Sequence, residues 1–211
     1  MKILAKSLCV PFGALVLVAG VAAQTPVSPP GSWPFAITTS GSYRLTANMI
    51  APTGSSAITI NANHVTLDLN GFTVGQAGLG PSCAPDTATG YGNTCTAAAG
   101  AFLIVANGRN IKISNGTVTG GSSGGIAVTG PGTTDATYAV LEDLAVIGTR
   151  SNGIQVAGSE NRFSNVVSSL NAGVGIDTGG LSIFENVTTN WNNSRGLNSI
   201  QSNILRNAVS K

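Results

Sequence analysis

Short runs in which apolar and polar residues alternate recur along the chain, as in Val65-Thr66-Leu67-Asp68-Leu69 and Gly153-Ile154-Gln155-Val156. A period of two marks half-buried strands. The runs also recur at a fixed stride. Ile113-Ser114-Asn115, Leu141-Glu142-Asp143, Phe163-Ser164-Asn165, Phe184-Glu185-Asn186 and Leu205-Arg206-Asn207 follow one another at steps of 28, 22, 21 and 21 residues. In phase with them runs a Gly-apolar element, Gly125-Ile126, Gly153-Ile154, Gly175-Ile176 and Gly196-Leu197. Self-similarity at this period is the mark of a stacked solenoid, in which no repeat buries its own apolar face.

Each repeat divides into a first strand at the Gly-apolar element, a second strand (161–164 in one repeat) and a third strand (166–169), separated by turns. Three short strands in about 21 residues make one coil of a parallel β-helix. The expected fold is therefore all-β, a single-stranded solenoid of about six rungs over residues 36–211. Alternation points Ile126, Ile154, Ile176 and Leu197 inward and Ala127, Gln155, Asp177 and Asn198 outward. Each inward aliphatic contributes roughly 1.5–3 kcal/mol.

The column Asn115, Asp143, Asn165, Asn186 and Asn207 closes the second strand of each repeat. Short amides tolerate left-handed backbone and bond to their copies on adjacent rungs, so the column is expected to form a buried ladder. Burial would rule out the N-glycosylation pattern at Asn115-Gly116-Thr117 and Asn186-Val187-Thr188; Asn192-Asn193-Ser194 is expected to be more exposed.

Composition agrees with strands and small-residue turns: Gly is 28 of 211 residues and charged residues are 9%. At the N-terminus, Lys2 and Lys6 precede an apolar stretch and then Val21-Ala22-Ala23, the pattern of a secretory signal peptide spanning residues 1–23. Residues 24–35 read as a linker, and the protein is expected to be secreted or periplasmic. Loss of Lys2 and Lys6 leaves eight basic and eight acidic residues. That balance excludes a basic footprint for nucleic acid or anionic membrane. Cys83 and Cys95 lie in a Gly/Pro/Ala-rich insertion at about residues 75–100, and an oxidising compartment would join them as a disulfide. The sole histidine, His64, is too far along the chain to complete a metal site with them and reads as a turn residue.

Three segments then carry a family likeness. Ile37-Thr38-Thr39-Ser40-Gly41-Ser42-Tyr43-Arg44-Leu45-Thr46-Ala47-Asn48, His64-Val65-Thr66-Leu67-Asp68-Leu69-Asn70-Gly71-Phe72 and Asn110-Ile111-Lys112-Ile113-Ser114-Asn115-Gly116-Thr117-Val118 resemble bacterial secreted right-handed parallel β-helix repeat proteins of the pectate-lyase-like group. The resemblance is specific for fold and uninformative about activity, since lyases, hydrolases, epimerases and adhesins share that fold. It implies a right-handed coil and a polysaccharide cleft along the outer face of the first strands. On this chain that face runs Thr59, a position near Ile104, Ala127, Gln155, Asp177 and Asn198, with Trp191, Asn192, Asn193 and Arg195 in the preceding turn and Tyr91 in the insertion.

The candidate binding residues are therefore Gln155, Asp177, Trp191, Arg195 and Asn198. Trp191 reads either as a platform for a sugar ring or as cover for a turn. No catalytic set is assigned. A glycosidase needs two carboxylates about 5–9.5 Å apart, and the column neighbours of Asp177 are Gln155 and Asn198. A calcium-assisted lyase needs several carboxylates and a base; Asp177 has only Glu160 in an adjacent turn, with Arg195 as the base, so no cofactor is assigned. The Gly-His-Gly motif of polygalacturonase-type members is absent.

Asp68 is expected to be a solvating residue and Glu185 a surface partner of Arg206. Nothing after residues 208–211 covers the last rung, so a longer parent chain or a homo-oligomer is expected to cap it. Three functions follow: binding a polysaccharide or cell-surface glycan, a structural or adhesive surface element associating through the last rung, and a weak or divergent polysaccharide lyase.

Overall fold

The computed structural model describes residues 23–78, 83–85, 93–95, 100–130, 137–200 and 203–210, with only the backbone of 83–85 and 93–95. All regular elements among them are strands. Phe35–Ile37, Ile58–Ile60, Phe102–Asn107, Gly124–Thr129, Ile154–Val156, Ile176–Thr178 and Leu197–Ser199 form a seven-stranded parallel sheet, each pairing with its counterpart one repeat away. The second and third strands form a 12-stranded sheet, also parallel throughout. The chain is a parallel β-helix, as its repeat predicts.

Three details differ from the expectation. Among the described residues there are seven first strands where about six rungs were expected, because Phe35–Ile37 begins a rung. Residues 24–35 are not simply a linker: Thr25–Val27 pairs with Tyr43–Leu45, and Val27 is fully buried. In three rungs the second and third strands are continuous, Ile111–Thr119, Val140–Ile147 and Arg162–Ser169, bent at the Asn column and not interrupted there. Parallel pairing resumes immediately beyond the bend, so the corner costs no more than a residue or two of ladder.

The corners explain how strands so short turn so sharply. Residues in the left-handed conformation mark the corners, in three columns. His64, Asn110, Tyr138, Glu160 and Leu181 precede the second strands; Asn70, Asn115, Asp143, Asn165, Asn186 and Asn207 follow them; Gly78, Gly120, Gly148, Leu170 and Trp191 follow the third strands. The sequence supplies Gly or a short amide at most of these sites, where that conformation costs little. His64 is a turn residue, as expected, with φ of 56°.

Inside, identical or similar side chains stack. Ile58, Ile104, Ile126, Ile154 and Ile176 are all fully buried and register with one another. Phe163 and Phe184 stack with ring centroids 4.9 Å apart and planes within 4°. The outer face of the second strands carries the charges, joined between rungs: Lys112 to Glu142 at 2.5 Å and Arg162 to Glu185 at 3.1 Å. Glu185 thus pairs with Arg162 on the preceding rung, not with Arg206 as expected.

Candidate functional site

The polar corners hold the site in place. The ladder exists, but it is exposed, contrary to the expected burial. Asn207 Nδ2 donates to Asn186 Oδ1 (3.2 Å), Asn186 to Asn165 (3.0 Å), and Asn165 to Asp143 Oδ1 (2.9 Å). Asn115 Nδ2 donates to Asp68 Oδ1 (3.1 Å), which also accepts from the Asn70 backbone (2.7 Å), while Arg44 Nε lies 3.5 Å from Asp68 Oδ2. Asp68 is therefore an anchor of the ladder as well as a solvated residue. The left-handed backbone throws the ladder side chains outward at the bend, which is why burial failed as an argument against the sequons.

Two further columns point inward and were not anticipated. Asn171, fully buried, accepts from the Thr149 backbone (3.1 Å) and hydroxyl (2.9 Å), and donates to Ser168 Oγ (3.1 Å) and Asn192 Oδ1 (2.9 Å). Asn192 Nδ2 donates to the Ser168 carbonyl (3.0 Å), so this residue faces inward and is not the exposed member of its sequon. In the next corner Asn161, 1% exposed, accepts from the Ala139 backbone (3.0 Å), and Asn203 accepts from the Ser182 backbone (3.0 Å). The signal was in the sequence: 171 to 192 and 182 to 203 are steps of 21 residues.

These inward columns flank the first strands, whose outer face registers as Ala36, Thr59, Val105, Ala127, Gln155, Asp177 and Asn198. The position expected near Ile104 is Val105, since Ile104 itself points into the core. The face changes character along its length. Its first four positions have short or apolar side chains, and its last three are amide, carboxylate, amide.

A groove of about 240 Å³ lies at the polar end, lined by Gln155, Val156, Ala157, Gly158, Asp177, Thr178, Gly179 and Ile200. Its floor is low because two rungs touch there: a Cβ on Gly179 would run into the Gly158 carbonyl oxygen. Asp177 is held by neutral donors. Asn198 Nδ2 donates to its Oδ1 (2.8 Å) and Asn152 Nδ2 to its Oδ2 (3.4 Å). Arg195 Nη1 donates to Asn198 Oδ1 at 3.0 Å, and Asn152 Oδ1 accepts from the Val174 backbone at 3.0 Å, so both amides are oriented from behind.

Of the five candidate binding residues, Gln155 and Asp177 line the groove, and Asn198 and Arg195 join it through hydrogen bonds. Trp191 is not among its walls; it sits 45% exposed in the column that earlier rungs fill with Gly120 and Gly148. Glu160 does not line the groove either. Among the described residues no three His, Cys, Asp or Glu gather in a way that could hold a metal ion. The groove thus presents one carboxylate and one amide to a ligand, an arrangement for binding hydroxyl or amino groups.

In the insertion, Cys83–Pro85 pairs antiparallel with Asn93–Cys95 and sets Cys83 opposite Cys95. The two sulfur atoms and Tyr91 lie outside the described residues. Compared with protein-family models, curated proteins and solved structures, the chain matches none.

Proposed function

We propose that this is an exported β-helix protein, akin to the pectate-lyase-like group, that binds carbohydrate along the outer face of its first strands. The observation that carries the reading is the groove at Gln155 and Asp177, in which the Asp177 carboxylate is held in place by Asn198 and Asn152, and Asn198 in turn by Arg195. Polar groups ordered before binding lose little entropy when a ligand's hydroxyls arrive, and sugars are recognised through such fixed donors and acceptors. Gel electrophoresis through immobilised neutral, acidic and amino polysaccharides tests it. Retardation by at least one, reduced in Gln155→Ala and Asp177→Ala, supports the reading; migration unaffected by every polysaccharide removes it.

Export brings a disulfide with it. Residues directly opposite in an antiparallel pair have Cα atoms about 4.5–5.5 Å apart, within the roughly 4.4–6.8 Å a disulfide spans. The register of Cys83 with Cys95 therefore supports a bridge that closes the insertion. Thiol titration with and without reductant checks it.

A second reading has its own support. Ile200 is 77% exposed and Leu205 56%, with Ile204 and Val209 close to half exposed. Aliphatics so placed favour association through the last rungs. Sedimentation over a concentration series separates this from a monomeric binder.

A further inference from the structure

The groove's charge narrows the class of carbohydrate it takes. Among the described residues its lining holds one carboxylate, Asp177, and no basic side chain. Among the described residues Asp177 has no ion-pair partner; its neighbours are amides, and Arg195 directs its guanidinium to the Asn198 oxygen and not to the carboxylate. An ionised carboxylate offers about four acceptor sites, and Asn198 and Asn152 occupy two. The remaining capacity calls for a donor from outside, and a cationic one gains most, because charge-assisted bonds are roughly twice as strong as neutral ones.

The other walls decide what carries the cation. The volume, about 240 Å³, falls below the roughly 300–1,000 Å³ of whole ligand pockets, so the groove accepts one residue of an oligomer. Gln155 offers both a donor and acceptors for hydroxyls, while Ala157 and the exposed Ile200 offer apolar surface to the C–H face of a ring. The first-strand face extends on either side for the rest of the oligomer.

We propose that the Asp177 groove is a subsite for an amino sugar, a 2-amino-2-deoxyhexose residue whose ammonium group meets Asp177 and whose hydroxyls meet Gln155. This rests on the carbohydrate reading above. It also says what the groove rejects. A uronic acid would set a second carboxylate against Asp177 with no basic side chain among the described lining residues to separate them, and like charges at that range repel.

The experiment measures binding of the full chain to a fluorescent glucosamine oligomer, its N-acetylated counterpart, a galacturonic acid oligomer and an oligolysine of matched charge. The expected result is binding of the glucosamine oligomer about tenfold or more tighter than its acetylated form, a ratio that corresponds to one charge-assisted hydrogen bond. Asp177→Asn should abolish the difference while leaving the strand-rich circular dichroism spectrum unchanged. Should that variant fold poorly, Gln155→Lys places a cation beside Asp177 from the surface and should remove the preference in the same way. Equal binding of the amino and acetylated oligomers overturns the amino-sugar assignment and leaves the carbohydrate reading standing. Tightest binding by the galacturonic acid oligomer also overturns it. Binding of oligolysine as tightly as the glucosamine oligomer assigns the site to a cationic peptide and overturns it as well. Binding of none of the sugars removes the carbohydrate reading itself.

Discussion

The early and late rungs of this solenoid share a backbone and differ in what fills it. One inward column reads Val74, Val118, Val146, then Ser168, Thr189 and Ser210; another reads Ile60, Ala106, Val128, Val156, then Thr178 and Ser199. Both change from aliphatic to hydroxyl near the same level. The corner column after the third strands changes too, from Gly78, Gly120 and Gly148 to Leu170 and Trp191, all left-handed. Bulky side chains are disfavoured in that conformation by roughly 1–2 kcal/mol each. The late rungs therefore lose apolar burial and carry backbone strain, and compensate with the Asn171 and Asn161 networks. The groove lies over these rungs, with Thr178 beneath it. Binding sites are commonly drawn from the less stable part of a structure.

Removing the aromatic stack should test this contrast most severely. Phe184→Ala deletes a fully buried ring from the late rungs, and such changes cost about 3–5 kcal/mol. Native-state hydrogen exchange is expected to show lost protection in residues 162–199 while residues 41–76 keep theirs. Equal loss in both would mean the helix unfolds as one unit and the division is not energetic.

Carrying the early chemistry into the late rungs should have a smaller, opposite effect. Thr189 is 1% exposed and its Oγ1 has no hydrogen-bond partner among the described residues. Thr189→Val replaces that hydroxyl by a methyl of similar shape, and removing an unsatisfied buried group is expected to stabilise by about 1–2 kcal/mol in urea denaturation. A loss of stability would show that the hydroxyl is satisfied, for example by internal water, and that the late core is wet by design.

The ladder offers the mildest test. Each Nδ2 donates to the rung before it, but Asp143 has no N–H to give to Asn115, so the chain of amides breaks between them. Asp143→Asn should restore one exposed hydrogen bond, worth about 0.5 kcal/mol and hence about 1–2 °C in Tm. An unchanged or lower Tm would mean that the early and late segments of the ladder do not cooperate.

Much of this molecule is written in local pattern. The stride of Asn165, Asn186 and Asn207 and the alternation around Ile154 and Ile176 specify a parallel β-helix, because period two and left-handed corner residues are properties of a few adjacent positions. That much determined the rungs, the stacked isoleucines and the polar outer file of Gln155, Asp177 and Asn198. Only the tertiary structure decided which asparagines face solvent and which face the core. Asn165 and Asn171 are six residues apart and of one type, yet one is exposed and the other fully buried. The side-chain direction at a corner depends on the dihedral angles of the bend and on what the next rung offers to bond, and the sequence does not display either. The same reason set Asp68 into the ladder, left Trp191 outside the groove, and gave Asp177 two amides in place of a cation.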